Sequence, residues 1–86
     1  MSTSEPRSSA RARDVSVSDL EIRVSLMNGR TITVPLAWFP RLAAASPDAR
    51  ARWQLVGAGE GIHWPEIDED ISVEGMLAGK RSRGAA

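Results

Sequence analysis

The residues able to do chemistry crowd into one stretch, Gly61-Ile62-His63-Trp64-Pro65-Glu66-Ile67-Asp68-Glu69-Asp70-Ile71-Ser72-Val73-Glu74-Gly75. His63 is the only histidine, and Glu66, Asp68, Glu69 and Asp70 follow it closely. One chemistry this suggests is a metal site, with imidazole and carboxylate donors. The run lacks the loop glycine and spacing of an EF-hand, however, and a single histidine is a poor start for zinc. A second is nucleophilic catalysis, which needs a nucleophile, a base at hand and a group orienting that base. His63 and Asp68 would serve as base and orienter, but Ser72 is better used as a helix cap. A domain of this size also has little room for a ligand pocket. The third is recognition of another macromolecule by acids set beside tryptophan. The sequence thus predicts no catalytic residue, no metal ligand set and no cofactor. It predicts a partner-binding surface formed by Trp38, Trp64, Glu66, Asp68, Glu69 and Asp70.

Charge distribution sharpens that reading. Lys and Arg total 11 and Asp and Glu total 11, but they are not mixed evenly. Arg7, Arg11 and Arg13 stand near the start and Lys80, Arg81 and Arg83 near the end. Between Trp53 and Gly79 there is no Lys or Arg, while Glu60, Glu66, Asp68, Glu69, Asp70 and Glu74 are present. Such asymmetry bears on partners and solubility rather than on fold. The basic tails could touch phosphates non-specifically, yet the body is acidic and shows no helix–turn–helix or basic recognition helix. Nucleic acid is therefore disfavoured as a target of this chain alone. The loop Gly57-Ala58-Gly59-Glu60-Gly61 is no phosphate cradle, since it joins two strands and carries a repelling Glu60.

The elements that must position these residues follow from periodicity and punctuation. At 86 residues without cysteine, the chain is one small domain with a thin core and no disulfide staple. Residues 1–13 and 80–86 are polar and basic and are expected to be disordered tails flanking a domain at 14–79. Val15 and Val17 suit a short half-buried strand. Leu20, Ile22, Val24 and Leu26 alternate with polar residues, turn at Asn28-Gly29, and return through Ile32, Val34 and Leu36. A two-residue loop would put the apolar rows on opposite faces. A three-residue loop, Met27-Asn28-Gly29, pairs Val24 with Ile32 and Ile22 with Val34 and needs Gly29 left-handed.

Ala37 to Ala45 reads as a short helix with Pro40 in its first turn. Ser46-Pro47-Asp48 starts a second helix, running to Arg52. A hairpin sets Leu55 against Ile62 and Trp53 against Trp64, a tryptophan pair adding about 0.5–1.5 kcal/mol beyond burial. Pro65 ends that strand. Glu66 to Asp70 is expected to be an extended acidic connection, and Ser72 caps a closing helix from Val73 to Ala78 with Gly79 beyond it. The expected fold is α+β: a small curved antiparallel sheet of about four to five strands covered by two or three short helices.

Pro35-Leu36-Ala37-Trp38-Phe39-Pro40-Arg41-Leu42, Trp53, and Gly61 through Leu77 together resemble the patterns P-x-x-WFPRL and GIHWPxIDEDISVEGLL. These mark a widespread family of small bacterial proteins known as a domain of unknown function, with Met76 standing where the family usually has leucine. The resemblance implies an α+β fold with a small antiparallel sheet and carries no catalytic residues. Some members add a helix–turn–helix domain, which has no counterpart up to Ala86. Members often sit beside another small protein in pairs that look like toxin–antitoxin modules, with this family on the antitoxin side.

The functional expectation is a non-enzymatic, cytoplasmic interaction module, a candidate antitoxin that neutralises a small basic toxin encoded by the adjacent gene. Alternatives are a transcriptional regulator using the basic tails and a metal- or ligand-binding domain. Self-association as a homodimer is a further partner option. The first residues lack an apolar signal region, and no apolar run spans a membrane.

Overall fold

The computed structural model describes residues 10–81. Among the described residues six strands form two antiparallel three-stranded sheets, ordered β1-β2-β3 and β4-β5-β6. The α+β class is as expected, with the strands divided between two sheets rather than gathered in one. The expected tail residues 1–9 and 82–86 lie outside the described residues, and strand structure begins at Ala12, two residues before the expected Asp14.

β1 (Ala12–Val17), β2 (Glu21–Leu26) and β3 (Thr31–Pro35) make the first sheet. Ala12 pairs with Leu26 and Asp14 with Ser25, so Arg13 is the extra residue of a bulge. That bulge shifts the side-chain alternation by one, which is how Ala12 and Val15 both reach the core despite their odd spacing. The β2–β3 hairpin has the three-residue loop that register logic required. Val24 faces Ile32 and Ile22 faces Val34, Leu26 N–H donates to Arg30 O at 2.7 Å, and Gly29 has φ +93°. Leu20 departs from its expected apolar row. It lies in the β1–β2 turn, held by the Ser18 hydroxyl, and is 81% exposed.

The expected helix from Ala37 to Ala45 is broken by Phe39. Leu36–Trp38 form a 3-10 turn, and α1 is only Pro40–Ala43, with Pro40 at its first position. In α2 (Pro47–Ala51) the Ser46 hydroxyl accepts the Ala49 N–H, as its sequence signal implied. The second sheet comprises β4 (Gln54–Val56), β5 (Gly61–Trp64) and β6 (Glu69–Ser72). Leu55 faces Ile62 as expected, but β4 begins at Gln54, so the ladder stops short of a Trp53–Trp64 pair. α3 (Val73–Leu77) is capped by Ser72, whose hydroxyl accepts from Gly75 N–H. Gly79, at φ +78°, closes it: Gly79 N–H donates to Met76 O and Lys80 N–H to Gly75 O.

Ile22, Val24, Leu26 and Val34 of the first sheet share one core with Ile62, Trp64 and Ile71 of the second, sealed by Leu36, Phe39, Leu42, Val73 and Met76. The sheets are stitched at the β4–β5 loop. Ala12 N–H of the first sheet donates to Gly59 O at 2.6 Å, while Val73 N–H to Glu60 O at 2.9 Å extends the β5–β6 ladder within the second. A Cβ on Gly59 would lie 2.5 Å from Ala12 O, so only glycine allows this close approach.

Candidate functional site: an acidic turn at the end of the second sheet

The acidic connection is not extended. Pro65–Asp68 form a tight turn, with Asp68 left-handed at φ +52°, a conformation that Asp tolerates better than most residues. Glu69 and Asp70 then belong to β6 and face opposite ways. Glu69 pairs in register with Trp64 and points inward, 6% exposed, while Asp70 pairs with His63 and points out. An inward-facing glutamate interrupts the hydrophobic alternation, and this hid the strand in the sequence.

Two of the six sequence-predicted partner residues are therefore inaccessible as surface anchors. Trp64 is completely buried in the core, where its Nε1–H donates to Arg50 O at 2.9 Å. Glu69 is enclosed beside it. Glu66, Asp68 and Asp70 are exposed, and Trp38 is half-buried with the Arg81 guanidinium 4.7 Å from its ring centroid. Arg81 also lines a small cleft, of about 160 Å³, with Phe39, Glu69, Asp70 and Lys80, so the fold does bring Trp38 to the margin of the acidic segment.

The acids have basic neighbours that their sequence positions concealed. Arg52 is ion-paired with Glu66, which holds the guanidinium more firmly charged, first through the hydrogen bond and then through their attraction. Arg41 donates to Asp68 O at 3.1 Å and attracts the Glu69 carboxylate. His63 Nδ1 lies 2.6 Å from Asp70 Oδ1, so the histidine's partner is Asp70 rather than Asp68. Asp48 and Glu66 act on Arg52, Arg41 acts on Glu69, and Glu69 and Asp70 share their cleft with Lys80 and Arg81. Glu66, Asp68 and Asp70 are the exposed carboxylates of this end.

Burial pushes the Glu69 carboxyl above its usual range; Arg41 opposes that shift, and Asp70 and Asp68 reinforce it. Among the described residues no three His, Asp or Glu side chains converge to hold a metal ion. Ser72 Oγ is occupied as the cap of α3. An open groove of about 800 Å³ lies elsewhere, between Leu26, Ile32 and Leu77, with Glu74 and Arg30 at its border.

A model of a family described as "Protein of unknown function (DUF2442)" matches residues 12–82. The chain belongs to this family. The match extends from the first strand past the closing turn of α3, so the family unit includes both sheets and the acidic turn. A crystal structure of a protein of unknown function from Rhodospirillum rubrum is 32% identical, with TM-score 0.73, covering 85% of this chain and 90% of that one. A solution structure of an uncharacterized protein from Chromobacterium violaceum shares the fold at TM-score 0.74 and 23% identity, over 88% of this chain and 72% of that one. No curated protein matches.

Among the described residues no helix is long and apolar enough to cross a membrane. Sequence reasoning missed Arg50. Its half-buried guanidinium donates to Leu42 O at 3.1 Å and Ala43 O at 2.8 Å, and to Asp19 at 3.0 Å. Arg50 thus ties α2 to the end of α1 and to the β1–β2 turn. Only the position of a basic residue in the last turn of α2 hinted at that role.

Proposed function

We propose that this chain is a non-enzymatic interaction module, a candidate antitoxin acting in the cytoplasm. Its acidic end would bind and neutralise a small basic protein encoded by the adjacent gene. The observation that supports this reading is the set of exposed carboxylates at the end of the second sheet, Glu66 and Asp68 at the turn and Asp70 on β6. Complementary charge accelerates encounter and rejects wrong partners more than it adds affinity. Half-buried Trp38, at the margin of the same cleft, supplies apolar area of the kind that dominates interface energetics. The toxin–antitoxin character itself rests on the family resemblance, and the charge arrangement supports the chemistry of the partner.

The test is growth. Expression of the adjacent gene product alone should arrest cells, and co-expression of this chain should relieve the arrest. The variant Asp68→Lys/Asp70→Lys, shown by circular dichroism to be folded, should relieve it poorly. Absence of arrest, or relief undiminished by the charge reversal, contradicts the proposal.

A further inference from the structure

One cleft of this fold holds a carboxylate that no donor satisfies. Glu69 is 6% exposed and lines the hollow of about 160 Å³ beside Phe39 and Gly75. Among the described residues no hydrogen bond or ion pair reaches its side chain, and Arg41, which attracts it, donates to Asp68 O instead. No side-chain oxygen among the described residues is both fully enclosed and without a partner. The Glu69 oxygens therefore open to the cleft. Buried acids are normally paired or hydrogen-bonded, so this one leaves a place for a cationic donor. The hollow is smaller than the roughly 300 Å³ at which small-molecule pockets begin, and it suits the head of one side chain.

The cations nearest this cleft come from the chain's own end. Gly79, left-handed at φ +78°, turns the backbone out of α3, and Lys80 N–H donates to Gly75 O at 2.9 Å. The Lys80 stem then lies over Gly75, its Cδ 3.8 Å from where a Cβ there would stand. Lys80 and Arg81 both line the cleft, and the Arg81 guanidinium lies 4.7 Å from the Trp38 ring centroid. Among the described residues neither cation closes on Glu69 or Asp70 to ion-pair distance; Asp70 pairs with His63. The stack on Trp38 is thus what holds Arg81 in place, and a cation–π contact near the surface favours the closed arrangement only about two- to fivefold.

We propose that this cleft seats an arginine side chain of the partner, with Glu69 as its counter-charge, and that Lys80-Arg81 is an intramolecular competitor that yields to it. The proposal rests on the basic-partner reading of the acidic end. Arginine is the side chain that fits. The Trp38 face already carries a guanidinium, and a planar guanidinium both stacks on an indole and forks onto a carboxylate, which an ammonium cannot do. Exposed Asp68 and Asp70 steer the approach, whereas enclosed Glu69 discriminates between occupants. A site that is open for only a fraction of the time binds more weakly by that fraction. Loss of the Arg81 contact should therefore raise affinity about three- to sixfold.

The experiment is a heteronuclear NMR titration of the full chain with a hexa-arginine peptide, acetylated and amidated at its ends. The Trp38 indole N–H and the amides of Glu69, Asp70 and Gly75 should shift together, and hexalysine should bind more weakly. Arg81→Ala should tighten hexa-arginine about three- to sixfold. Arg23→Ala, which removes the same charge from the first sheet, should not. Glu69→Gln, its fold checked by the same spectra, should weaken binding at least about tenfold. Shifts confined to residues 66–68, with Trp38 and Glu69 unmoved, overturn the proposal and leave the basic-partner reading standing. So do equal gains from Arg81→Ala and Arg23→Ala, or a Glu69→Gln variant that binds like the parent. Absence of any shift overturns both.

Discussion

Replacing Gly59 by alanine should be among the most damaging single-methyl additions to this protein. Two effects combine. Gly59 has φ +93°, a backbone region that costs an L-residue roughly 1–3 kcal/mol. The added Cβ would also meet Ala12 O at 2.5 Å and Ala12 N at 3.1 Å. Those contacts are backbone and cannot swing aside, so the strand and the loop must separate. Separation removes the 2.6 Å bond from Ala12 N–H to Gly59 O. Ala12 is fully buried, so its stranded amide costs roughly 1–3 kcal/mol more. The loss of about 2–6 kcal/mol is large for a domain whose total stability is about 0.05–0.15 kcal/mol per residue. At about 4–8 °C per kcal/mol, the melting temperature should fall by at least about 8 °C.

Gly29 is the matched control. It has the same φ of +93° but nothing within 4 Å of its Cβ position, so Gly29→Ala should cost only the backbone share, roughly 1–2 kcal/mol. Urea and thermal unfolding followed by circular dichroism give both values. If the two variants agree within about 0.5 kcal/mol, the close seam between the sheets does not exist as described.

Glu69→Gln should stabilise the protein at neutral pH. Burial raises the Glu69 carboxyl in the folded state, so between the ordinary glutamate range and the raised value the native chain holds the extra proton, and stability falls as pH rises through that window. The advantage of the variant should therefore be absent near the ordinary glutamate range, about pH 4, and grow as pH rises above it. A urea-midpoint series in which the variant loses stability toward neutral pH contradicts this. Arg50→Ala should cost about 2–4 kcal/mol, because the charge-assisted bonds to Leu42 O and Ala43 O are lost. Arg50→Lys should recover only part of it, lacking the planar fork. Asp19→Ala should stay within about 0.5 kcal/mol, since that side chain is 91% exposed; a larger loss at Asp19 than at Arg50 would reverse the assignment.

Local chemistry made much of this fold legible in the sequence. The Asn28-Gly29 hairpin could be placed to the residue because only a three-residue loop puts Ile22, Val24, Ile32 and Val34 on one face. Ser46, Ser72 and Gly79 announced helix ends because capping is a short-range property. What escaped was non-local. Glu69 read as part of a solvated acidic run because nothing in its neighbours reveals that β6 turns it inward. Asp70 proved to be the partner of His63 only through β5–β6 register, and Arg41 and Arg52 approach the acidic turn from elements many residues earlier. Trp64 was a plausible anchor by type, but the core claimed it. The join between the two sheets uses a backbone contact, Ala12 N–H to Gly59 O, that no pattern of side chains encodes.

The most direct test of the interaction reading is binding between this purified full chain and the purified product of the adjacent gene, measured by titration calorimetry at low and high salt. The account predicts a specific complex that weakens as salt rises, and that loses at least about tenfold in affinity with Asp68→Lys/Asp70→Lys. No detectable binding, or a complex indifferent to both salt and charge reversal, would contradict it.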